Sequence, residues 1–385
     1  MDVEAFGGSR SLAFDRDRLG DLFGRDELLP LWIAEPYVPL AASIRSAIEE
    51  RANTGWYGYE NRPAGAKAAF WEWMAARHGW SGEGLTTIVS PSVGTSIGVM
   101  INELTDEGDG IVIQPPVFTD FKPLISASGR TVVRSPLVLS DAGYQMELDG
   151  LAELTARPDV RLMILCNPHN PVGKLWSKEE LNAVARICAA NAVTVVADEI
   201  HADLALRPNV FVPFATAAEG SGVTWAATHG PIKTFGLAGV CDTLVVTDGG
   251  DLAGRFGAAS NRLHLTRNNV FSLAAFETAY RTGGDWLDSL LDLVKSNTDR
   301  LGEGLTRSIR VMPQQATYLA WLDFRELGLD VPELARWLAA AGLALSPGHW
   351  FGREGAGFAR MTIAADAAVV DEAIRRLNQG PVVNA

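Results

Sequence analysis

Three short segments of the chain combine residue types that can do chemistry with positions where chemistry is usually done. Cys166-Asn167-Pro168-His169-Asn170-Pro171-Val172-Gly173 closes an apolar run with a polar turn. Val196-Ala197-Asp198-Glu199-Ile200-His201 carries an apolar run straight into two acids. Ile232-Lys233-Thr234-Phe235-Gly236-Leu237-Ala238-Gly239 sets one lysine in a Gly-rich, otherwise uncharged stretch. An amine in apolar surroundings has its pKa lowered, which favours the neutral form that acts as nucleophile and base. Each segment also has a bland reading: an Asn-Pro pair makes a turn, an acid after a strand caps a helix, and a lone lysine is solvated. What sets these three apart is that each follows a strand, and ligands of α/β sheets bind at the carboxyl ends of strands. Asn170, Asp198 and Lys233 are therefore expected to converge on one cleft.

The elements that must position them are legible as alternating patterns. Short β-branched runs at Thr86–Ser90, Ile111–Gln114, Thr131–Arg134, Leu162–Cys166, Val193–Ala197, Val223–Ala227 and Leu244–Thr247 read as strands. Several are apolar on both faces, as strands covered by helices on each side must be. Between them lie helical patterns, the clearest from Ser177 to Ala190, whose opening Ser177-Lys178-Glu179-Glu180 is a capping box. The alternation predicts an α/β fold with a mostly parallel seven-stranded sheet covered by helices. After about residue 285 the pattern changes to helices at Trp286–Asn297, Val331–Ala341 and Ala367–Asn378 around the strand-like Tyr318-Leu319-Ala320-Trp321-Leu322. We therefore expect an N-terminal segment (1–45) packing on a small α+β domain (285–385), with a large domain (46–284) between them.

Composition narrows the function classes. The 385 residues are 47% hydrophobic and 21% charged, the balance of a globular protein with a full-sized core. The longest apolar run, Trp337 to Leu345, falls well short of the ~18 residues of a membrane span. Met1-Asp2-Val3-Glu4 carries acid where a secretory signal carries base, so a cytoplasmic location is expected. Three scattered cysteines, Cys166, Cys188 and Cys241, offer no disulfide framework or zinc site. With 46 acidic against 33 basic side chains the net charge is −13, which repels nucleic acid and anionic lipid. No phosphate-loop or zinc-protease motif is present.

Taken together, the motifs resemble those of fold type I pyridoxal-phosphate (PLP) enzymes, and within them the MalY/PatB class of cystathionine β-lyases and cysteine S-conjugate C–S lyases. The matching stretches include Leu29-Pro30-Leu31-Trp32-Ile33-Ala34, Tyr57-Gly58-Tyr59, Gln114-Pro115-Pro116-Val117-Phe118, the three segments above, Ala316-Thr317-Tyr318-Leu319-Ala320-Trp321-Leu322 and Gly357-Phe358-Ala359-Arg360. The resemblance implies that Lys233 carries PLP as an imine and later removes the Cα proton. It implies that Asp198 keeps the ring nitrogen protonated, so that the ring can absorb the electrons left at Cα. Asn170 and His201 are then expected at the ring oxygen, Phe118 on the ring face, and Ser92 with Val93 at the phosphate, where a helix N-terminus supplies amides. Arg360 is the expected clamp for the substrate carboxylate, and Ala34 and Asn170 are expected beside the substrate. Tyr59 is expected to reach the site of a neighbouring subunit, which implies a homodimer with shared active sites.

Some positions depart from the family. Ile232 and Gly230 stand where relatives carry serines, leaving the phosphate to the Ser90-Pro91-Ser92-Val93 turn, with Thr228 or His229 as replacements. Ala34 is followed by Glu35-Pro36-Tyr37-Val38 rather than Asp-Met-Asp-Phe, and Phe118 lacks the hydroxyl of the usual tyrosine. The leading expectation is β-elimination of an S-substituted cysteine, with a bulky or pathway-specific thioconjugate of natural-product type in place of cystathionine. The alternatives are an aminotransferase, a decarboxylation-coupled oxidative deaminase of an S-cysteine conjugate, and a PLP-binding regulatory protein.

Overall fold

The computed structural model describes residues 10–140, 143–306 and 308–381. The acidic N-terminus, Met1–Glu4, lies outside them. The large sheet is built from β1 (Thr86–Ser90), β2 (Gly110–Ile113), β3 (Thr131–Arg134), β4 (Val160–Cys166), β5 (Thr194–Asp198), β6 (Trp225–His229) and β7 (Thr243–Thr247). Their spatial order is β1-β7-β6-β5-β4-β2-β3. All neighbours pair in parallel except β7, which runs antiparallel to both β1 and β6. Each of the seven expected strands is present, with ends shifted by no more than two residues. β2, β6 and β7 are buried throughout, and each is built on an apolar run: Gly110–Ile113, Trp225–Ala227 and Leu244–Val246. A short hairpin, Val138–Ser140 with Gly143–Gln145, was not expected from the sequence; exposed Val138, Ser140 and Gln145 leave it no apolar run to announce it.

Helices cover both faces of the sheet and divide its core into two clusters. One gathers Val93, Ile97, Phe121, Ile164, Val196 and Phe256; the other includes Phe70, Trp73, Met163, Val195, Ala227 and Phe235. The helix Lys178–Ala190 begins at Ser177, whose hydroxyl accepts from the Glu180 amide while the Glu180 carboxylate accepts from the Ser177 amide.

A second sheet holds Arg310–Val311, Leu319–Asp323, Phe358–Thr362 and Ser346–Pro347, all antiparallel. Behind it lie the helices Gly284–Gly304, Val331–Ala340 and Ala367–Asn378. Near the N-terminus, Leu29–Pro30 pairs in parallel with Leu343–Ala344, and the Thr362 amide donates to the Leu31 carbonyl. The stretch 29–37 is thereby laid along the second sheet, and from there it reaches the carboxyl ends of β4, β5 and β6.

Candidate active site

β5 ends in two acids that point opposite ways, as successive residues of a strand must. Asp198 is 4% exposed, and its Oδ1 accepts from the Ile200 amide (3.3 Å) and the Thr228 hydroxyl (3.2 Å). Burial pushes its pKa up to about 6, against those two donors and the charge of Lys233. Glu199 faces the other side of the sheet. It accepts from the Phe214 amide (2.7 Å), and its Oε2 lies 3.0 Å from His229 Nε2. Only the first acid belongs to the cleft. Three residues on, His201 is buried, its Nδ1 has no protein partner, and burial followed by the charges of Lys233 and Arg360 pushes it down to about 3. It is neutral.

Lys233 lies in the one-turn helix Pro231–Thr234 that follows β6. Its Nζ donates to the Ala34 carbonyl (2.8 Å), which also accepts from the Tyr318 hydroxyl (3.2 Å). Burial, aided by the charge of Arg360, lowers the lysine to about 8. Tyr318 is aimed by its neighbour Thr317, a β-branched residue held at φ 69° while its amide donates to the Leu204 carbonyl (2.8 Å). Glu35 is half-buried beside the same amine; burial raises its pKa and the charge of Lys233 opposes the rise.

Arg360 stands on Phe358–Thr362 and is 6% exposed. It donates to Asn170 Oδ1 (2.9 Å), the Trp32 carbonyl (2.8 Å) and the Ser346 hydroxyl (3.2 Å), and its guanidinium lies 4.8 Å from the centre of the Phe351 ring. Its Nε has no protein partner, and burial lowers its pKa to about 10. Asn170 is set by the turn after β4, where Gly173 adopts φ 65° and a Cβ would press on the Ala316 carbonyl at 3.0 Å. Both Gln315 and Ala316 donate back to the Gly173 carbonyl, so this turn is tied to the segment that carries Tyr318 into the strand Leu319–Asp323.

Ser92 caps the helix Val93–Leu104 at the end of β1, its hydroxyl accepting from the Thr95 amide (3.1 Å). Phe118 is half-buried and meets Phe121 edge-on at 5.5 Å. A recess of about 210 Å³ opens beside it, lined among others by Lys122, Arg134, His349, Trp350 and Phe351.

The chain thus gathers Lys233, Asp198, Asn170, His201, Arg360 and Ala34 around one cleft, with the Ser92–Val93 and Phe118 segments at the same carboxyl edge of the sheet. Tyr59 does not join them: it is 88% exposed, and its hydroxyl accepts from Arg267 (3.1 Å). The expected replacements for the missing serines are corrected too. Thr228 spends its hydroxyl on Asp198, and His229 sits across the sheet between Glu199, Phe70 and Trp80. A side chain at Gly230 would approach Thr243 to 3.2 Å, which leaves little room for a serine there. Sequence reasoning missed Ser346, the carbonyls of Trp32 and Ala34, and Tyr318 as a partner of the latter. Trp32, Ala34 and Tyr318 all lie in matched motifs, but nothing in those motifs marked the carbonyls or the phenol as partners, and Ser346 lies in none. Among the described residues no cluster of His, Cys, Asp or Glu could hold a metal ion, and no helix is long and apolar enough to cross a membrane.

Comparison with known proteins agrees with this geometry. The model of the aminotransferase class I and II family matches residues 35–377. The chain is similar to cystathionine beta-lyase PatB of Bacillus subtilis (strain 168), at 34% identity over 96% of each chain. Among solved structures it is similar to cystalysin of Treponema denticola, which contains pyridoxal 5'-phosphate, with a TM-score of 0.90 and 25% identity over 97% of this chain and 96% of that one. It is similar as well to the PLP-bound C–S lyase of Staphylococcus hominis, with a TM-score of 0.87 and 25% identity over 96% and 95% of the two chains. With a mostly parallel seven-stranded sheet, a family model spanning nearly its whole length and relatives aligned end to end, the chain belongs to the aminotransferase class I and II family.

Proposed function

We propose that the protein is a PLP-dependent C–S β-lyase that converts an S-substituted cysteine and water to a thiol, pyruvate and ammonia. The observation that carries this reading is the match along nearly the whole chain to cystathionine beta-lyase PatB and to the PLP-bound C–S lyase, together with a site that sets an amine brought down to about 8 near a carboxyl brought up to about 6. Groups whose surroundings move their pKa values toward neutrality mark sites of proton transfer.

The residues present fit the cofactor. Lys233 is a desolvated amine able to form an imine, and Asp198 is a buried carboxyl that a cationic ring nitrogen would return to its ionised form. His201 Nδ1 and Arg360 Nε are buried polar atoms left without protein partners. In this reading Lys233 and Asp198 hold the cofactor, Asn170 and His201 meet its ring oxygen, Phe118 covers its face, and Ser92 and Val93 meet its phosphate. When bound, PLP supplies a sink for the electrons released at Cα.

The chain's own residues do the rest. Arg360 binds the substrate α-carboxylate through two parallel N–H groups, turning from its present acceptors to do so. Burial, aided by the Arg360 cation, lowers the neighbouring Lys233 and so favours its neutral form, and the neutral amine takes the Cα proton. With that proton gone, the Cβ–S bond breaks and the thiolate leaves. Glu35, half-buried and raised, is a further carboxyl whose charge acts on the lysine. The recess beside Phe118 and Phe351 is the natural seat of the sulfur substituent.

Transamination uses the same lysine, acid and arginine, so the decisive experiment separates the two. Purified holoenzyme is given a panel of S-alkyl and S-aryl cysteines, and pyruvate is measured with no keto acid added. Pyruvate formation supports the lyase; turnover that depends on an added keto acid replaces it with an aminotransferase. Tyr59, together with exposed Trp56 and Tyr57, supports a homodimer in which this segment completes the partner's site. Three cysteines, all unpaired and buried, are in keeping with the reducing cytoplasm.

A further inference from the structure

The catalytic lysine and the ring acid must keep one fixed separation, because a single rigid ring would have to meet both. They stand on different turns, Asp198–Leu204 after β5 and Gly230–Thr234 after β6. Backbone pairing of β5 with β6 stops at Asp198 and Thr228, five residues before the lysine. Something beyond the sheet has to hold the second turn.

Asp203 is placed to do this. It lies in the short 3₁₀ turn Ala202–Leu204 and is 6% exposed. Its Oδ2 accepts from the Thr234 hydroxyl (2.8 Å), the residue next to Lys233. Its Oδ1 accepts from Trp73 Nε1 (2.8 Å) and lies 2.8 Å from His78 Nε2, both on the helix Ala64–His78. Burial pushes this carboxyl up, but its three partners outweigh burial and hold it below the usual carboxylate value. It is an ionised anchor. With the Thr228–Asp198 bond, it makes a second side-chain link between the two turns, one on each side of the lysine.

We infer that Asp203 is a positioning residue for Lys233: by accepting the Thr234 hydroxyl, it locks the lysine-bearing turn onto the turn that carries Asp198. The inference rests on the reading of Lys233 as the reactive amine. An ordinary buried acid would supply stability alone, whereas this one is joined to the side chain of the residue next to Lys233, where small displacements matter most. A shift of about 1 Å at a reacting group can cost on the order of 10²-fold in rate.

The test uses holoenzyme of the wild type, Asp203→Asn, Thr234→Val and Thr234→Ser. Amide hydrogen exchange is followed in the peptide spanning residues 231–241, and steady-state kinetics are measured with an S-substituted cysteine. Thr234→Val and Asp203→Asn should each speed exchange in that peptide about tenfold, leaving the rest of the sheet protected. Both should lower kcat about tenfold or more, with KM changed less than about twofold. Thr234→Ser, which keeps the hydroxyl, should recover most of the rate lost in Thr234→Val. Wild-type exchange and kcat in Thr234→Val would overturn the inference, as would faster exchange spread evenly over the whole chain. Should Asp203→Asn not fold, the two Thr234 variants carry the test. Absence of pyruvate from the wild type would remove the lyase reading while leaving the exchange comparison intact.

Discussion

Two regions of the molecule handle polar and apolar groups in opposite ways. At the carboxyl edge of the large sheet, an amine, a carboxyl, a guanidinium and an imidazole are withdrawn from water, and each pays for this with a shifted pKa. In the segment 54–63 the reverse holds: Trp56 and Tyr59 leave 75% and 88% of their surface in solvent, with Arg51 donating to the Trp56 carbonyl and Arg267 to the Tyr59 hydroxyl. The first arrangement is finished within one chain. The second exposes large aromatic surface that a lone subunit gains nothing by displaying. In the proposed homodimer the contrast divides the labour: the proton chemistry stays internal to the subunit, whereas the outer wall of the cleft would come from the partner.

The strongest attempt to break that division is Lys233→Ala. It should abolish turnover, a loss of ~10²–10⁴-fold or more, and remove the imine absorbance of the purified protein. Asp198→Ala comes next: the protein should fold and lose about 10²-fold or more in kcat, because no anion remains to balance a ring cation. Near-normal kinetics in a pyruvate assay would remove Asp198 from that role. Arg360→Ala should raise KM about 10–100-fold with a smaller change in kcat, the worth of a charged, paired hydrogen bond. An unchanged KM would place the substrate carboxylate elsewhere.

The sharpest test of the outer region is Tyr59→Ala, expected to lower kcat/KM about tenfold while leaving the imine spectrum intact. If mixing it with Lys233→Ala restores no activity, the wall is not shared between subunits. The smallest effect is one of pH. A lysine lowered to about 8 is an ammonium below that value, so the rate at which cofactor-free protein forms its imine should rise as pH passes about 8 and then level off. Stopped-flow absorbance reads it directly. A profile still climbing at pH 10 would mean that the amine is not desolvated.

How much of this was legible beforehand follows from what each feature asks of the chain. The five inner strands showed because burial on both faces demands apolar runs, the edge strands Thr86–Ser90 and Thr131–Arg134 showed by their β-branched residues, and Ser177-Lys178-Glu179-Glu180 showed because a capping box needs particular side chains. That β7 runs against its neighbours did not show, since direction leaves no mark on composition. The carbonyls of Trp32 and Ala34 were invisible, because every residue carries one. Asp203 was hidden by the stronger motif before it, and an acid two residues after His201 reads as an ordinary cap. Thr228 was singled out for the wrong partner: the sequence places it near the cofactor, but only the pairing of β5 with β6 turns its hydroxyl to Asp198.

The Ala34 oxygen links two parts of the chain nearly two hundred residues apart. It accepts from Lys233 and from Tyr318, and it belongs to a stretch laid along the second sheet rather than the first. Whenever the amine engages any other atom, that oxygen keeps only its phenol donor. One anchor of the stretch 29–37 is therefore present only while the reactive nitrogen is free.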